Sequence, residues 1–390
     1  MGGAKGYTST GYDARDQRTP LHQPRSRERG EMVYNFNAGP AILPSAVLAE
    51  AQAELRDYHG TGMSILELSH RSAEYEAVNA DAQARLKAFL GVGDGYQVLF
   101  LQGGASLQFA MIPLNFLPEN RVADYLLTGS WSEKALTEAG TLGEVRAAAS
   151  MRAGGYRTVP GAAEIALSER PAYVHLTSNE TIHGVQWHEW PDVGARPLIA
   201  DMSSDILSRP LDTNRFALIY AGAQKNLGPS GATVVVARKE LLDSAPETIP
   251  AILRYAIHAR ASSLYNTPPS FAVYLIGLTL RWIETEGGLD ALAERNRRKA
   301  TLIYGAIDGS GGFYRGHALP ESRSLMNVTF RLATPEAEKA FLMAADEAGF
   351  VGLAGHRSVG GVRASLYNAM TLDGCTALTD FMGEFMRRRG

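Results

Sequence analysis

Short apolar runs at residues 98–101, 172–176, 198–200, 218–220 and 233–237 recur along the chain, with helical patterns between several of them. Each is short enough to be a strand buried on both faces, and the intervening helices supply the crossovers that parallel strands need. The pattern predicts an α/β fold whose large domain is a mainly parallel sheet covered by helices. Pro44 and Ser45 open a predicted helix through Leu55. After about residue 290, a charged helix with Arg295, Arg297, Arg298 and Lys299 leads into a strand at 326–330, a helix at 335–348 and a closing helix at 378–386. That set predicts a smaller α+β C-terminal domain. The expected organisation is a tail at 1–31, a segment at 32–44 packing with the small domain, a large domain at 45–290 and a small domain at 291–390.

With 390 residues, the chain can bury two cores and enclose a cleft between them. Residues 1–31 are rich in Gly, Ser, Thr and Arg with few large aliphatic residues, a composition that predicts disorder. The acids Asp13, Asp16, Glu28 and Glu31, and the lack of an apolar central region, argue against a transit peptide or a secretory signal there. No apolar stretch reaches the roughly 18 residues of a membrane span, so no membrane contact is expected. A net charge of −3 offers no general attraction for nucleic acid, and any anionic ligand must be held by local arginines. Cys375 is the only cysteine, which excludes an intramolecular disulfide and fits a reducing cytoplasm. His183 and His188 have no partner at metal-ligand spacing and read as ordinary polar residues, with no metal expected.

The strongest chemical signal is Lys225. An apolar strand at 216–220 runs into small residues, presents this lysine, and continues through a glycine-rich turn to a second apolar strand. A lysine so placed is partly desolvated, which lowers its affinity for protons and favours a nucleophilic amine. Asp201 ends the run at 198–200, where it fits a helix N-cap or, beside Lys225, the partner of a pyridine nitrogen. Gln102-Gly-Gly-Ala-Ser106 forms a glycine turn between a strand and a helix, suited to an anion. It lacks the spacing of a dinucleotide site and the lysine of a nucleotide phosphate loop. Trp131 follows the apolar run 122–127, where an indole serves either as core or as a stacking surface.

In order along the chain stand Tyr34-Asn-Phe-Asn-Ala-Gly-Pro40, Leu68-Ser-His-Arg71-Ser, Gly103-Gly-Ala-Ser106 and Ser178-Asn-Glu-Thr181-Ile-His-Gly184. They are followed by Ala223-Gln-Lys225-Asn, Tyr265-Asn-Thr267-Pro-Pro and Gly355-His-Arg357-Ser-Val-Gly-Gly-Val-Arg363. Together these resemble the phosphoserine aminotransferase family, class V enzymes of fold-type I that use pyridoxal 5′-phosphate, over essentially all of residues 32–390. The resemblance implies that Lys225 holds the cofactor in a Schiff base, Asp201 pairs with the ring nitrogen, Trp131 stacks on the ring and Thr181 bonds the ring hydroxyl. Ala105, Ser106 and Gln224 would hold the cofactor phosphate, joined by Asn266 and Thr267 from the other subunit of a homodimer.

By the same resemblance, Arg363 would clamp the substrate α-carboxylate, and His70 and Arg71 would bind the distal anion. His356 and Arg357 would reach from the partner subunit to the substrate phosphate, a task suited to the guanidinium fork. The implied reaction moves the amino group of L-glutamate to 3-phosphohydroxypyruvate, giving O-phospho-L-serine and 2-oxoglutarate in serine biosynthesis. Many bacterial members also act on 4-phosphohydroxy-L-threonine in vitamin B6 synthesis, a second substrate that the resemblance leaves open here. In Gly103-Gly-Ala-Ser106, alanine and serine replace an arginine that some members carry, which implies fewer phosphate contacts there. Rival readings are an alanine–glyoxylate type transaminase, opposed by the His and Arg set, and a cysteine desulfurase, for which Cys375 is poorly placed. A non-catalytic pyridoxal phosphate-binding protein is a third, and the retained lysine, acid and arginines speak against it.

Overall fold

The computed structural model describes residues 32–389, so the disorder expected for 1–31 lies outside the described residues. The chain begins with β1 (Tyr34–Asn35), α1 (Ser45–Glu54), α2 (Ala73–Phe89), β2 (Tyr96–Leu101), α3 (Gly104–Phe116), β3 (Val122–Leu127), α4 (Ser130–Ala139) and β4 (Glu144–Ser150). It continues through β5 (Val174–Thr177), β6 (Asn179–Glu180), β7 (Val185–Gln186), β8 (Leu198–Asp201), β9 (Leu218–Gly222), β10 (Thr233–Arg238), α5 (Lys239–Asp243), α6 (Tyr255–Arg260) and α7 (Ser270–Thr285). The last part contains α8 (Gly288–Asp308), β11 (Arg315–Gly316), β12 (Asn327–Arg331), α9 (Pro335–Glu347), β13 (Phe350–Val351), β14 (Val362–Ser365) and α10 (Leu372–Arg389).

Seven strands form the main sheet in the order β2-β10-β9-β8-β5-β3-β4. The pairings among β9, β8, β5, β3 and β4 are parallel. Only β10 is reversed, pairing antiparallel with both β2 and β9. Its reversal has a simple cause. The link from β9 to β10 is too short for the helical crossover that a parallel neighbour requires, so the chain turns back. Leu176, Leu198, Ala200, Ile219 and Ala221 pack on one face with Leu86 of α2 and Ile276 and Leu280 of α7. Their chain neighbours Ile199, Leu218 and Tyr220 pack on the other face with Phe109 and Ile112 of α3 and Ala135 of α4. Burial on both faces is why these strands are apolar at nearly every position.

A second core gathers β11, β12 and β14, an antiparallel sheet, with α8, α9 and α10. The N-terminal strand joins it: β1 pairs parallel with β13, Tyr34 stacks on Phe350 at 5.3 Å, and Phe36 is fully buried there. Thr334 caps α9 by accepting from the Ala337 N–H at 3.2 Å, and Pro335 opens the helix. The closing helix starts at Leu372, earlier than its apolar periodicity begins, because its first turns bury Gly374 and Cys375.

The two cores are tied together beside Lys225. The Asn368 backbone N–H donates to Asn226 Oδ1 at 3.0 Å, Asn296 Nδ2 donates to Asn368 Oδ1 at 2.9 Å, and Asn368 Nδ2 donates to the Leu207 carbonyl at 2.9 Å. On α8, Lys299 is buried and donates to the carbonyls of Leu366 and Tyr367 at 2.7 and 2.8 Å. Tyr367 in turn donates to the Ala38 carbonyl at 2.7 Å. These bonds fix the strand that carries Arg363 against the turn that carries Lys225.

The β6–β7 turn is held by Gly184, at φ +69°, whose added methyl would lie 2.6 Å from the Asn327 carbonyl oxygen and 2.7 Å from Thr329 Oγ1. Left-handed strain and this contact together should make Gly184→Ala destabilising by about 2 kcal/mol or more. Urea denaturation followed by circular dichroism should show the lower midpoint; an unchanged midpoint would mean that the β6–β7 turn relaxes away from β12.

Candidate active site

In an open α/β sheet the crevice outside the carboxyl ends of the strands is where ligands bind, because loops and helix N-termini converge there. A cavity of about 310 Å³ lies at that edge. It collects Gly104, Ala105 and Ser106 from after β2, Trp131 from after β3, Thr177 from β5, Asp201 from β8, Lys225 from after β9, and Arg363 from β14. A larger cleft of about 650 Å³ lies elsewhere, around Arg196, Arg215 and Arg238. No lysine lines it, and its arginines direct N–H groups at the carbonyls of Glu169, Pro191 and Asn214.

Lys225 sits in a tight turn closed by the N–H groups of Leu227 and Gly228 bonding to the Ala223 carbonyl. Its Nζ donates to Thr181 Oγ1 at 2.7 Å and stands 5.8 Å from the centre of the Trp131 ring. Burial lowers the lysine to about 8; Asp201 pulls the other way, and Arg363 adds to the lowering. The amine therefore becomes available as a nucleophile at a lower pH than a solvated lysine does.

Asp201 is buried, and burial raises its carboxyl, opposed by Ser203, by the Lys225 charge and by Tyr220. Its Oδ1 accepts from the Ser203 N–H at 2.9 Å. The β8–β9 register sets Asp201 opposite Tyr220, on the same face of the sheet. Behind Tyr220, its hydroxyl lies 2.9 Å from His175 Nε2. His175 Nδ1 is buried without a partner, and burial lowers this histidine to about 3, so it is neutral. An unpartnered ring N–H would cost more than an unpartnered lone pair, which assigns the proton to Nε2. His175 then donates to Tyr220, whose hydroxyl lowers the Asp201 carboxyl. This chain of donors favours the ionised carboxylate.

Around this pair the cavity is polar and incompletely satisfied. Trp131 Nε1, Thr177 Oγ1 and Arg363 Nε are buried without partners, while Arg363 Nη1 donates to the Thr181 carbonyl at 3.3 Å. Gly103, at φ +88°, opens α3, and a methyl on Gly104 would meet open space. The first-turn amides of α3 have no intrahelical acceptors, as an anion site requires. A cationic amine, a buried acid, an indole face and a free helix N-terminus form a donor set that fits a phosphorylated pyridine aldehyde.

Ala105, Ser106, Trp131, Thr181, Asp201, Gln224, Lys225, His356 and Arg363 thus meet in one cavity within one chain. His356, expected to reach a partner's site, lines the cavity of its own chain, with Nδ1 2.7 Å from Ser358 Oγ. His70, Arg71, Asn266, Thr267 and Arg357 do not line it; Arg71, Thr267 and Arg357 are exposed, and the Thr267 carbonyl accepts from Gln102 Nε2 at 3.1 Å. His183 and His188 bond to Ser130 Oγ and the Arg323 carbonyl, and no cluster of three or more metal-ligating side chains occurs among the described residues. Sequence reasoning assigned nothing to Glu180, His175, Ser203 or Tyr220. A polar residue at a fully buried strand position was the available signal for Tyr220.

This combination of sheet, edge cavity and lysine is the architecture of fold-type I aminotransferases. Residues 33–378 match the family described as Aminotransferase class-V. Phosphoserine aminotransferases of Herpetosiphon aurantiacus and Niallia circulans are 58% and 59% identical, each over 92% of this chain and 99% of the relative. The solved phosphoserine aminotransferase of Bacillus circulans subsp. alkalophilus superposes with a TM-score of 0.91 at 59% identity, covering 92% of this chain and 99% of that one. A pyridoxal phosphate-bound phosphoserine aminotransferase from Trichomonas vaginalis, 38% identical, covers 90% of this chain and all of that one, with a TM-score of 0.85. The chain belongs to the class V aminotransferases and, within them, to the phosphoserine aminotransferase family.

Because burial favours the neutral amine, Lys225 is protonated and unreactive below about pH 8 and free above it. The rate at which ligand-free protein forms a borohydride-trappable adduct with a small aldehyde should inflect near pH 8. Asp201→Asn should move the inflection down and Arg363→Leu should move it up. An inflection in the ordinary lysine range, near 10, would mean that the amine is solvated.

Proposed function

We propose that the protein transfers the amino group of L-glutamate to 3-phosphohydroxypyruvate, yielding O-phospho-L-serine and 2-oxoglutarate, with pyridoxal 5′-phosphate bound to Lys225. The observation that carries this reading is the desolvated amine of Lys225 beside a buried, hydrogen-bonded carboxylate, Asp201, with a guanidinium, Arg363, in the same cavity. The similarity to phosphoserine aminotransferases that are more than half identical supports the choice of substrate.

When bound, the cofactor supplies an aldehyde to carry the amino group and a ring that accepts electrons from the substrate. Asp201 keeps the ring nitrogen protonated, supported by Ser203 and by the His175–Tyr220 pair. Trp131 provides a flat surface for the ring, and Thr181 a hydroxyl. Ala105, Ser106 and Gln224 hold the phosphate at the N-terminus of α3. Arg363 binds the substrate α-carboxylate, which orients the Cα–H bond toward Lys225. With the cofactor in place, Lys225 would take up the substrate Cα proton and hold it until it is returned, acting as both base and acid.

His356 supplies a donor for the distal anion or phosphate of the substrate. His70, Arg71 and Arg357 do not line the cavity within one chain, and Asn266 and Thr267 do not either. We therefore include a homodimer in the proposal, in which side chains from a second subunit complete the phosphate and substrate sites. No helix among the described residues is long and apolar enough to cross a membrane, and we place the reaction in the cytoplasm.

The visible spectrum of the purified protein should change from the aldehyde-derived to the amine form of the cofactor on adding O-phospho-L-serine, and not with L-alanine or L-cysteine. Conversion by alanine alone would replace the substrate assignment, and no cofactor band would defeat the proposal. Arg357→Ala should raise the KM for O-phospho-L-serine by about tenfold to a hundredfold, as loss of a charge-assisted bond of about 1.5–3 kcal/mol requires. Its KM for glutamate should rise less. An unchanged KM would remove Arg357 from phosphate recognition.

A further inference from the structure

Glu180 has no solvent exposure, lies one residue before Thr181 on β6, and has no part in the chemistry above. Its Oε2 accepts from the Trp131 N–H at 3.1 Å. Its Oε1 accepts from the Ser132 N–H at 2.9 Å and from Ser132 Oγ at 2.7 Å. Three donors from the first turn of α4 thus converge on one carboxylate carried by a different element. Gly129 makes room for it, because a methyl there would stand 2.5 Å from Glu180 Cδ.

A buried carboxylate is costly, and burial still pushes this one up to about 7 despite its three donors. No N-cap side chain serves these first-turn amides, and Ser132 Oγ is occupied by the Thr128 and Gly129 N–H groups ahead of the helix, both at 3.0 Å. The carboxylate therefore caps α4 from a different element. What the carboxylate adds is a bond to the backbone of Trp131, whose indole lines the cavity with Nε1 unpartnered. The same two-residue strand carries Glu180 next to Thr181, the hydroxyl that Lys225 meets. One rigid segment therefore refers both the indole and the amine to a common frame.

We infer that Glu180 is a positioning residue, clamping the first turn of α4 to β6 so that the Trp131 indole stands at the correct height above the cofactor ring. The inference rests on the cavity being the pyridoxal phosphate site. Glutamine at 180 keeps one acceptor but sets an NH2 group against a backbone donor, so the clamp loses a bond and gains a clash of donors.

A double-mutant cycle on ligand-free protein tests it, with pyridoxal 5′-phosphate affinity read from visible absorption in the parent, E180Q, W131F and E180Q/W131F. In the parent background E180Q should weaken binding about tenfold, which is about 1.4 kcal/mol. In the W131F background the same change should cost less than about twofold, because the clamp has no indole left to place. Equal losses in both backgrounds overturn the inference, since a merely structural role would be additive. If E180Q does not fold, Ser132→Ala, which removes the hydroxyl's bond to Glu180 together with its bonds to the Thr128 and Gly129 N–H groups but leaves the Trp131 N–H on the carboxylate, replaces it in both backgrounds with the same criterion and a smaller expected loss. Failure of the parent to bind the cofactor would overturn the functional reading, and this inference with it; binding with additive losses overturns this inference alone.

Discussion

The register between β8 and β9 is the constraint on which the site depends. It sets Asp201 opposite Tyr220, and three residues beyond the end of β9 the turn presents Lys225. A slip of one residue would turn the acid to the other face of the sheet and separate it from the tyrosine. Register is secured because both faces of these strands are buried, so a slip would exchange the contents of two packed cores. The precision of the polar site is thus a consequence of apolar packing below it.

Electrostatics in the cavity follow from the same burial. Lys225 is lowered because it is desolvated, while Asp201 and Glu180 are raised for the same reason. Each is also held by specific partners: Thr181 for the amine, Ser203 for one acid, and the first turn of α4 for the other. Low dielectric strengthens every one of these bonds and penalises every group left without one. The unpartnered atoms of Trp131, Thr177 and Arg363 are therefore informative, because they mark where a polar ligand belongs.

Much of this was legible in the sequence. Buried strands show as short runs without polar alternation, and Lys225 and Asp201 stand out as charged residues at the ends of such runs. The antiparallel course of β10 was not read from composition, though the short link from Lys225 to Thr233 contains the reason. Tyr220 and His175 were hidden because a buried aromatic or imidazole usually signals packing, and only the register reveals that they line up behind an acid. Glu180 lay inside a recognised motif but had no role there, since its partners come from a helix some fifty residues earlier. His356 shows the reverse difficulty: its motif is plain, while the subunit whose cavity it serves depends on tertiary placement.

The amides that join the two cores set a further property of the molecule. Asn226, Asn296 and Asn368 meet as neutral groups: Asn226 and Asn368 both donate and accept, and Asn296 donates to Asn368 and to the Ser208 carbonyl. Such a joint has a direction, because turning any one amide over would face donor with donor or acceptor with acceptor. It also carries no net charge, so neither salt nor a change of pH across the ordinary range loosens it. The amide part of the joint between the lysine that reacts and the arginine that grips therefore does not titrate, whereas Lys299 beside it, lowered to about 7 by burial, does.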